Sequence, residues 1–369
     1  MGSSFDPPRT PSTSLAKLFA GFPPAQPGGL LGLGGFALGL AAPSGGSASL
    51  LTTLGFPTGA RSRTEWNSRF GHWQRPATPT EEGTIDRAER NVREALGNSD
   101  WLVGQKVSLW QQGSYLNNTN VRNDADIDLR LVHPLMKVDY AVDVYQSYAD
   151  AVLTLSDSGV SFAQLFANLR SESIYHLSQR FGVELVDANG NKAIAVNGIT
   201  GSRAEVDVVP TLVYRHVSWN AAWSQYQTVE GVAILGKDGA WTINYPQQHH
   251  DNGKAKRSGT ACRFKKNVRI FKRLRSDLPN AAGGQVASFL VECLVYLVEN
   301  EHFLVESDDL YARVRRIVLR MRELLGNPLI SMGLREINDI KPLFGAGQAW
   351  SQPDAIKFVD AVVAHLGAA

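Results

Sequence analysis

Two aspartates separated by one residue stand inside an apolar run in the segment QQGSYLNNTNVRNDADIDLR, residues 111–130. Asp126 and Asp128 flank Ile127, and this alternation predicts a strand that carries both carboxylates on one face. Two such carboxylates repel each other unless a cation lies between them. Because Mg²⁺ prefers carboxylate oxygens, the spacing indicates a divalent metal site. The alternative is a pair of charges that protects a sheet edge from aggregation.

A third carboxylate, Asp207, lies in a second apolar strand pattern, AEVDVVP, about eighty residues later. If the two strands are neighbours, the three acidic side chains converge and could hold two Mg²⁺ ions, with Mn²⁺ as a substitute. In a two-metal site of this kind, one ion activates an attacking hydroxyl and the other stabilises a leaving pyrophosphate. The residue types therefore indicate phosphate-transfer chemistry.

Gly113 and Ser114 follow a predicted strand and precede the polar segment that leads to the aspartates. A glycine at this place lets the backbone approach a phosphate, and the serine hydroxyl and nearby N–H groups can bind phosphate oxygens. A Gly-Ser dipeptide is common in loops. Its position shortly before the Asp-x-Asp pair is what makes it informative.

The periodicity of apolar residues outlines the helices that precede and follow these motifs. Thr78, Pro79 and Glu81 form a helix start, in which threonine caps, proline takes the first helical position and glutamate reaches back to the cap. Apolar residues recur at helical spacing up to Gly97, which ends this helix. A second amphipathic helix ends at Gly182.

Strand patterns occupy much of the chain before residue 246. Residues 102–110 are predicted to form a strand, and turn dipeptides at 189–190 and 238–239 predict two hairpins. In AEVDVVPTLVYRHV, Pro210 either closes the strand or confines it to a sheet edge. After Pro246 the apolar pattern is helical, so a mixed α+β half precedes a helical half.

Composition narrows the class of protein. The chain has 369 residues, 43% of them hydrophobic, and a formal net charge of +2. That size suits two domains, and that charge does not by itself indicate a nucleic-acid or acidic partner. Residues 254–275 form a local basic block. The two cysteines, Cys262 and Cys293, lie in no metal-ligand spacing and indicate a reduced, cytoplasmic protein.

The first sixty residues differ from the rest of the chain. No charged residue stands between Lys17 and Arg61, and the apolar, glycine-rich segment 28–42 is shorter than the roughly twenty residues that a membrane-spanning helix needs. We predict a low-complexity, disordered tail over residues 1–60. Alternatives are a membrane or partner contact and an export signal, although the segment imitates a signal peptide poorly.

The segment GSYLNNTNVRNDADIDL resembles the signature of the DNA polymerase β-like nucleotidyltransferases. More narrowly, it resembles the bacterial cGAS/DncV-like nucleotidyltransferases, which make cyclic-oligonucleotide signals in anti-phage defence. Further resemblances follow in the same order in AEVDVVP, in the basic segment 245–275, in VASFLVECLVYLV and in WSQPDAIKFVDAV. The resemblance covers residues 65–367, and it is greatest to the branch that often uses pyrimidine nucleotides.

The resemblance implies an α+β fold, with a polymerase β-like nucleotidyltransferase core over residues 61–246 and a C-terminal helical lobe over residues 247–369 that closes the active-site cleft. It also implies roles for the motif residues. Asp126, Asp128 and Asp207 would bind two metal ions, with Asp207 placed to activate the acceptor hydroxyl. The Gly113–Ser114 pair would hold the donor triphosphate.

Three residues of the helical half resemble nucleotide-binding positions of the family. Lys272 resembles the lysine that reaches the triphosphate, Ser288 resembles a second phosphate-contacting serine, and Phe289 stands where relatives carry an aromatic side chain that stacks on a base. Lys272 could instead be a solvated lysine of a basic helix, and Phe289 a core residue. The adjacent His249 and His250, on a strand or in a loop, make a poor metal site.

The function implied is a Mg²⁺-dependent synthase that makes a cyclic di- or trinucleotide second messenger from ATP and a second NTP such as UTP. One alternative, suited by the basic block, is a transferase that adds nucleotides to RNA or a small molecule. Another is a catalytically silent nucleotide-binding scaffold. A protein modifier acting on the small C-terminal residues AHLGAA is a further expected partner, whereas neither a membrane nor a stable nucleic-acid partner is required.

Overall fold

The computed structural model describes residues 61–121, 127–141, 144, 161–280 and 284–367. The helices of four or more residues are α1 Arg63–Trp73, α2 Pro79–Gly97, α3 Asp100–Gly104, α4 Gly113–Leu116, α5 Phe162–Phe181, α6 Pro246–Gly259, α7 Phe264–Asp277, α8 Ser288–Leu297, α9 Leu310–Gly326, α10 Pro328–Ser331 and α11 Gln352–Leu366. The strands are β1 Ser108–Gln112, β2 Ile127–Tyr140, β3 Val186–Asp187, β4 Ile194–Val196, β5 Val206–Asn220, β6 Gln225–Leu235 and β7 Trp241–Asn244. Short 3₁₀ turns are Val183–Leu185, Asn300–Phe303 and Glu306–Asp308. The α+β fold class is confirmed.

All seven strands belong to one mixed sheet, in which β2 and β5 run parallel in the centre. β1 pairs antiparallel with β2, and the β3–β4 hairpin pairs antiparallel with the start of β5. β6 pairs antiparallel with the rest of β5, and β7 pairs with β6. The two predicted hairpins, β3–β4 and β6–β7, are therefore confirmed.

Pro210 neither ends its strand nor confines it to an edge, so that prediction was wrong. β5 continues through Pro210 in the centre of the sheet, opposite Leu131 of β2. On the other edge of β5, pairing with β4 reaches Val208 and pairing with β6 begins at Leu212. The proline thus falls where β5 changes partners, which is a place where a missing N–H is tolerated.

The core of the sheet half lies between the sheet and helices α2 and α5. One face of β2 is fully buried through Ile127, Leu129 and Leu131, which pack in one cluster with apolar residues of both helices. The predicted start of α2 is confirmed, because Thr78 accepts the N–H of Glu81 while the Glu81 carboxylate accepts the N–H of Thr78. Helix α5 ends at Gly182 as predicted, with a φ of 93°.

The strand predicted over residues 102–110 was wrong in its first part. Ser99 caps the short helix α3 by accepting the N–H of Leu102, and β1 begins only at Ser108. Apolar residues in so short a stretch fit a helical turn as well as a strand, and the cap decides between them.

The second half is helical, as predicted, and has its own hydrophobic core. This core joins α7, α8, α9 and α11 with Trp66 and Phe70 of α1, which are 1% and 0% exposed. Helix α1 thus precedes the sheet along the chain but packs in the helical lobe. The last described strand ends at Asn244, and α6 begins at Pro246.

The predicted tail over residues 1–60 lies outside the described residues. Among the helices that the structure describes, none is both long enough and apolar enough to cross a lipid bilayer.

We expect Thr78→Ala to lower the free energy of unfolding by about 1 kcal/mol, because α2 loses its cap. Thr84→Ala is the matched control: its hydroxyl donates to the Thr80 carbonyl within the same helix, and we expect a change within about 0.5 kcal/mol. Urea denaturation measures both. Equal losses in the two variants would contradict the assignment of the cap.

Candidate active site

Two of the three predicted metal ligands meet at the start of the central strands. Asp128 of β2 lies directly opposite Asp207 of β5 in the parallel register. Neighbouring strands are about 4.8 Å apart, and residues in register on adjacent strands point to the same face. Both side chains are half-buried. Asp126, the third predicted ligand, lies outside the described residues, so the metal role of the triad stays a prediction.

Gly113 lies against one member of this carboxylate pair, Asp128. It follows β1, whose last residue, Gln112, stands opposite Asp128. Its φ is +69°, and a Cβ at this position would lie 1.9 Å from Asp128 Oδ2. Glycine is therefore required both by the left-handed backbone and by the close approach of the carboxylate. The Gly-Ser turn predicted to hold a triphosphate and the predicted metal ligand Asp128 are in direct contact.

The donor set at the start of these two central strands fits Mg²⁺ better than a softer ion. Asp128 and Asp207 offer oxygen ligands, which are the ligands that Mg²⁺ binds, and two adjacent carboxylates favour a cation between them. No group of three or more His, Cys, Asp or Glu side chains within the described ranges is arranged to hold a metal. Of the three predicted ligands, Asp128 and Asp207 are among the described residues.

Lys272 lies in the buried side of α7, not on its solvated face. Its Nζ is 3.1 Å from Glu292 Oε2, and both side chains are 4% exposed. The alternative of a solvated lysine is therefore wrong. That Lys272 contacts a triphosphate stays a prediction.

Glu292 also contacts two residues that lie outside helices α7 and α8. Thr119 Oγ1 donates to Glu292 Oε2 at 3.0 Å, and His249 Nε2 lies 3.0 Å from Glu292 Oε1. Burial alone raises the pKa of this carboxyl group, but the charge of Lys272 and the hydrogen bond from His249 outweigh it and hold the pKa at about 2. The carboxylate is therefore ionised at neutral pH.

The two histidines, His249 and His250, lie in the first turns of helix α6 rather than on a strand or in a loop. Both contact Asn117, with His249 Nε2 at 3.3 Å from its Nδ2 and His250 Nδ1 at 3.1 Å from its Oδ1. Asn117 Nδ2 in turn donates to the carbonyl oxygen of Gly113 at 2.9 Å. His250 thus supports the Gly-Ser turn through Asn117.

Ser288 and Phe289 begin helix α8, and both are half-buried. The ring of Phe289 packs 5.4 Å from that of His249 and 5.9 Å from that of Trp350, measured between ring centroids. Phe289 is partly buried against the core of the helical lobe. Base stacking by Phe289 and phosphate contact by Ser288 stay predictions.

Sequence reasoning missed the role of Glu292, Thr119 and Asn117. One signal was available: Glu292 is the single charged residue in the apolar helix SFLVECLVYL. An acid on a helix that is otherwise apolar is buried only with a compensating cation. Arg269 was missed as well; it donates from Nη1 to the carbonyl of Asn118 at 2.6 Å and so ties α7 to the loop after α4.

Comparison with known proteins gives concordant matches. The family model of the cGAS/DncV-like nucleotidyltransferase C-terminal helical domain matches residues 251–367. A cyclic dipyrimidine nucleotide synthase, CdnE of Legionella pneumophila, is 31% identical over 302 residues, which cover 80% of this chain and 96% of the relative. A cyclic dipurine nucleotide synthase of Elizabethkingia meningoseptica is 30% identical over 307 residues, again 80% of this chain and 96% of the relative.

Among solved structures, the CdnE cyclic dinucleotide synthase of Elizabethkingia meningoseptica with GTP and Apcpp superposes with a TM-score of 0.64. The two chains are 27% identical, and the match covers 82% of this chain and 98% of that one. The similarity therefore includes both the sheet half and the helical half.

We expect Gly113→Ala to destabilise the protein more than Gly239→Ala does. Both glycines have positive φ, +69° and +78°, so each alanine costs about 1–2 kcal/mol from backbone strain. Only Gly113 has a carboxylate within contact of the added Cβ, since nothing lies within 4 Å at Gly239. Urea denaturation gives the two free energies of unfolding. Equal losses would show that Asp128 does not press on the turn.

Proposed function

Since the chain belongs to the cGAS/DncV-like nucleotidyltransferases, we propose that it makes a cyclic di- or trinucleotide second messenger from nucleoside triphosphates in a Mg²⁺-dependent reaction. One observation carries the proposal: Asp128 and Asp207 stand side by side on parallel strands, and Asp128 is in contact with Gly113 at the start of the Gly-Ser turn. That is the arrangement that a metal-assisted transfer to a nucleoside α-phosphate requires.

The acidic side chains would hold the metal ions. Asp128 and Asp207, together with Asp126, supply the carboxylate oxygens, and triphosphate oxygens complete the coordination. When bound, the ions lower the pKa of the attacking hydroxyl and neutralise charge on the leaving pyrophosphate. Asp207, on the second strand, would activate the acceptor hydroxyl.

The donor nucleotide would be held by groups from both halves of the chain. The backbone of Gly113 and the hydroxyl of Ser114 bind its phosphates, while Lys272 and Ser288 approach from the helical lobe. Phe289 would stack on a base. These groups orient the α-phosphate for attack, which is where most of the rate enhancement originates when no covalent intermediate with the enzyme forms.

The reaction proceeds in two similar steps. For a cyclic dinucleotide, a ribose hydroxyl of one nucleotide gives up its proton to Asp207 as its oxygen attacks the α-phosphorus of the other. A P–O bond forms, the bond to the β-phosphate breaks, and pyrophosphate leaves with the negative charge. The linear product then turns over in the cleft, and its own free hydroxyl attacks the remaining α-phosphorus. A second pyrophosphate is released as the ring closes.

ATP and a second NTP, with UTP as the favoured candidate, are the proposed substrates. Support for a pyrimidine comes from the relative of Legionella pneumophila, whose name specifies a cyclic dipyrimidine product, whereas the Elizabethkingia relative is named for a dipurine product. We also propose a cytoplasmic location and a role in CBASS-type anti-phage signalling, with a protein modifier acting on the C-terminus.

We expect Asp128→Asn and Asp207→Asn to lower pyrophosphate release by about 100-fold or more, because each removes a charge that binds metal beside the phosphate. Both variants should remain folded but lose the rise in melting temperature that Mg²⁺ with NTP gives the parent protein. Asp187→Asn, at an exposed position of β3, is the control and should retain activity. Full activity in either test variant would refute the assignment.

Labelled NTPs, supplied singly and in pairs and followed by mass spectrometry, test the product. We expect a cyclic product without added acceptor, no product after chelation of Mg²⁺ with EDTA, and the highest yield with a pair that includes UTP. A product that forms only when RNA or a small-molecule acceptor is added would favour the alternative transferase. No turnover with any pair would favour the nucleotide-binding scaffold.

A further inference from the structure

Glu292 is a buried carboxylate whose partners come from three separate segments. Lys272 is on α7, His249 is on α6, and Thr119 is in the loop after the Gly-Ser turn. Glu292 itself is 3% exposed and lies in α8 among apolar residues. A charge buried to this degree is stable only because its partners are held close, so their positions depend on each other.

On the side of the sheet half, this cluster is hydrogen-bonded to the Gly-Ser turn. Thr119 is 0% exposed, and its N–H donates to the carbonyl of Ser114 at 2.9 Å. Asn117 Nδ2, which donates to the Gly113 carbonyl, also lies 3.3 Å from His249 Nε2. Thr119 is therefore one hydrogen bond from the turn, and Lys272 is bound by Glu292 directly.

We propose that Glu292 is a positioning residue for the donor triphosphate. It fixes the Lys272 ammonium relative to the Gly113–Ser114 turn, so that groups from the helical lobe and from the core face the same phosphates. Glu292 does not touch the nucleotide. This proposal rests on the proposed function, since it concerns the site where that function places the triphosphate.

The charge of Glu292 is essential to this role. A neutral side chain of the same shape retains the contacts with Thr119 and His249 but leaves Lys272 as a buried cation without its counter-ion. Such a lysine moves toward solvent or loses its proton, and in either case it is no longer available at a fixed place for the phosphates.

Glu292→Gln, compared with Glu336→Gln, tests the proposal. Glu336 is also 3% exposed in the helical half, accepts hydrogen bonds from Asn338 and Gln348, and lies 3.6 Å from Lys341 Nζ. None of these three contacts is with a candidate site residue, so its variant reports the cost of neutralising a buried glutamate alone.

Binding of a non-hydrolysable ATP analogue with Mg²⁺ is measured by calorimetry, and melting temperature is measured in parallel. We expect both variants to melt at lower temperature, and Glu292→Gln to bind the analogue at least about tenfold more weakly than Glu336→Gln does. Equal affinities in the two variants would overturn the proposal.

A second pair of variants decides the question should Glu292→Gln not fold. Thr119→Val keeps the shape of the side chain but removes the hydrogen bond to Glu292, whereas Thr119→Ser keeps the hydroxyl. We expect weaker analogue binding in the valine variant and restored binding in the serine variant. Identical binding in both would overturn the proposal.

Failure of the proposed function would be visible in the parent protein. In that case the unmodified chain yields no product from any NTP pair and does not bind the analogue, which overturns both proposals. A parent protein that binds and turns over NTPs, with Glu292→Gln behaving like Glu336→Gln, overturns only the role of Glu292.

Discussion

The in-register pairing of β2 with β5 is the constraint on which the candidate site depends, because it holds two like charges side by side. Two carboxylates roughly 5 Å apart repel by about 3 kcal/mol at an effective dielectric constant of about 20. The aliphatic residues that flank them in the same strands are 0% exposed: Ile127, Leu129, Val206 and Val208. Each contributes roughly 1.5–3 kcal/mol by burial. Packing on one face of the sheet therefore outweighs repulsion on the other.

The helical lobe holds several of its charged side chains inside the molecule. Lys272 and Arg269 are 4% and 5% exposed on the same helix, and each contacts a different partner: Glu292 within the lobe for the first, the Asn118 carbonyl of the core for the second. Burial lowers the pKa of Arg269 to about 10, which leaves it charged at neutral pH. Helix α7 thus joins the halves through buried cationic side chains.

The sequence predicted correctly those features that depend only on neighbouring residues. The cap at Thr78, the end of α5 at Gly182 and the hairpin turns each depend on a few adjacent residues, and they were predicted correctly. Pro210 was misjudged because a proline is tolerated inside β5 only at the point where β5 changes from pairing with β4 to pairing with β6. That change of partners cannot be seen in the residues around Pro210. The partners of Glu292 were missed for the same reason: Thr119 and His249 are distant in sequence.

The chain crosses between the two halves near the candidate site, so contacts that hold the halves together lie beside it. The described chain starts in the helical lobe with α1, crosses to the core before α2 and returns at Pro246. Arg269 Nε donates to the carbonyl of Gln74, in the first crossing, at 2.8 Å, and Lys341 Nζ donates to the Ile243 carbonyl beside the second at 3.2 Å. Any movement of the two halves apart must stretch these partly buried contacts. The geometry at the Gly-Ser turn is therefore coupled to the packing between the halves.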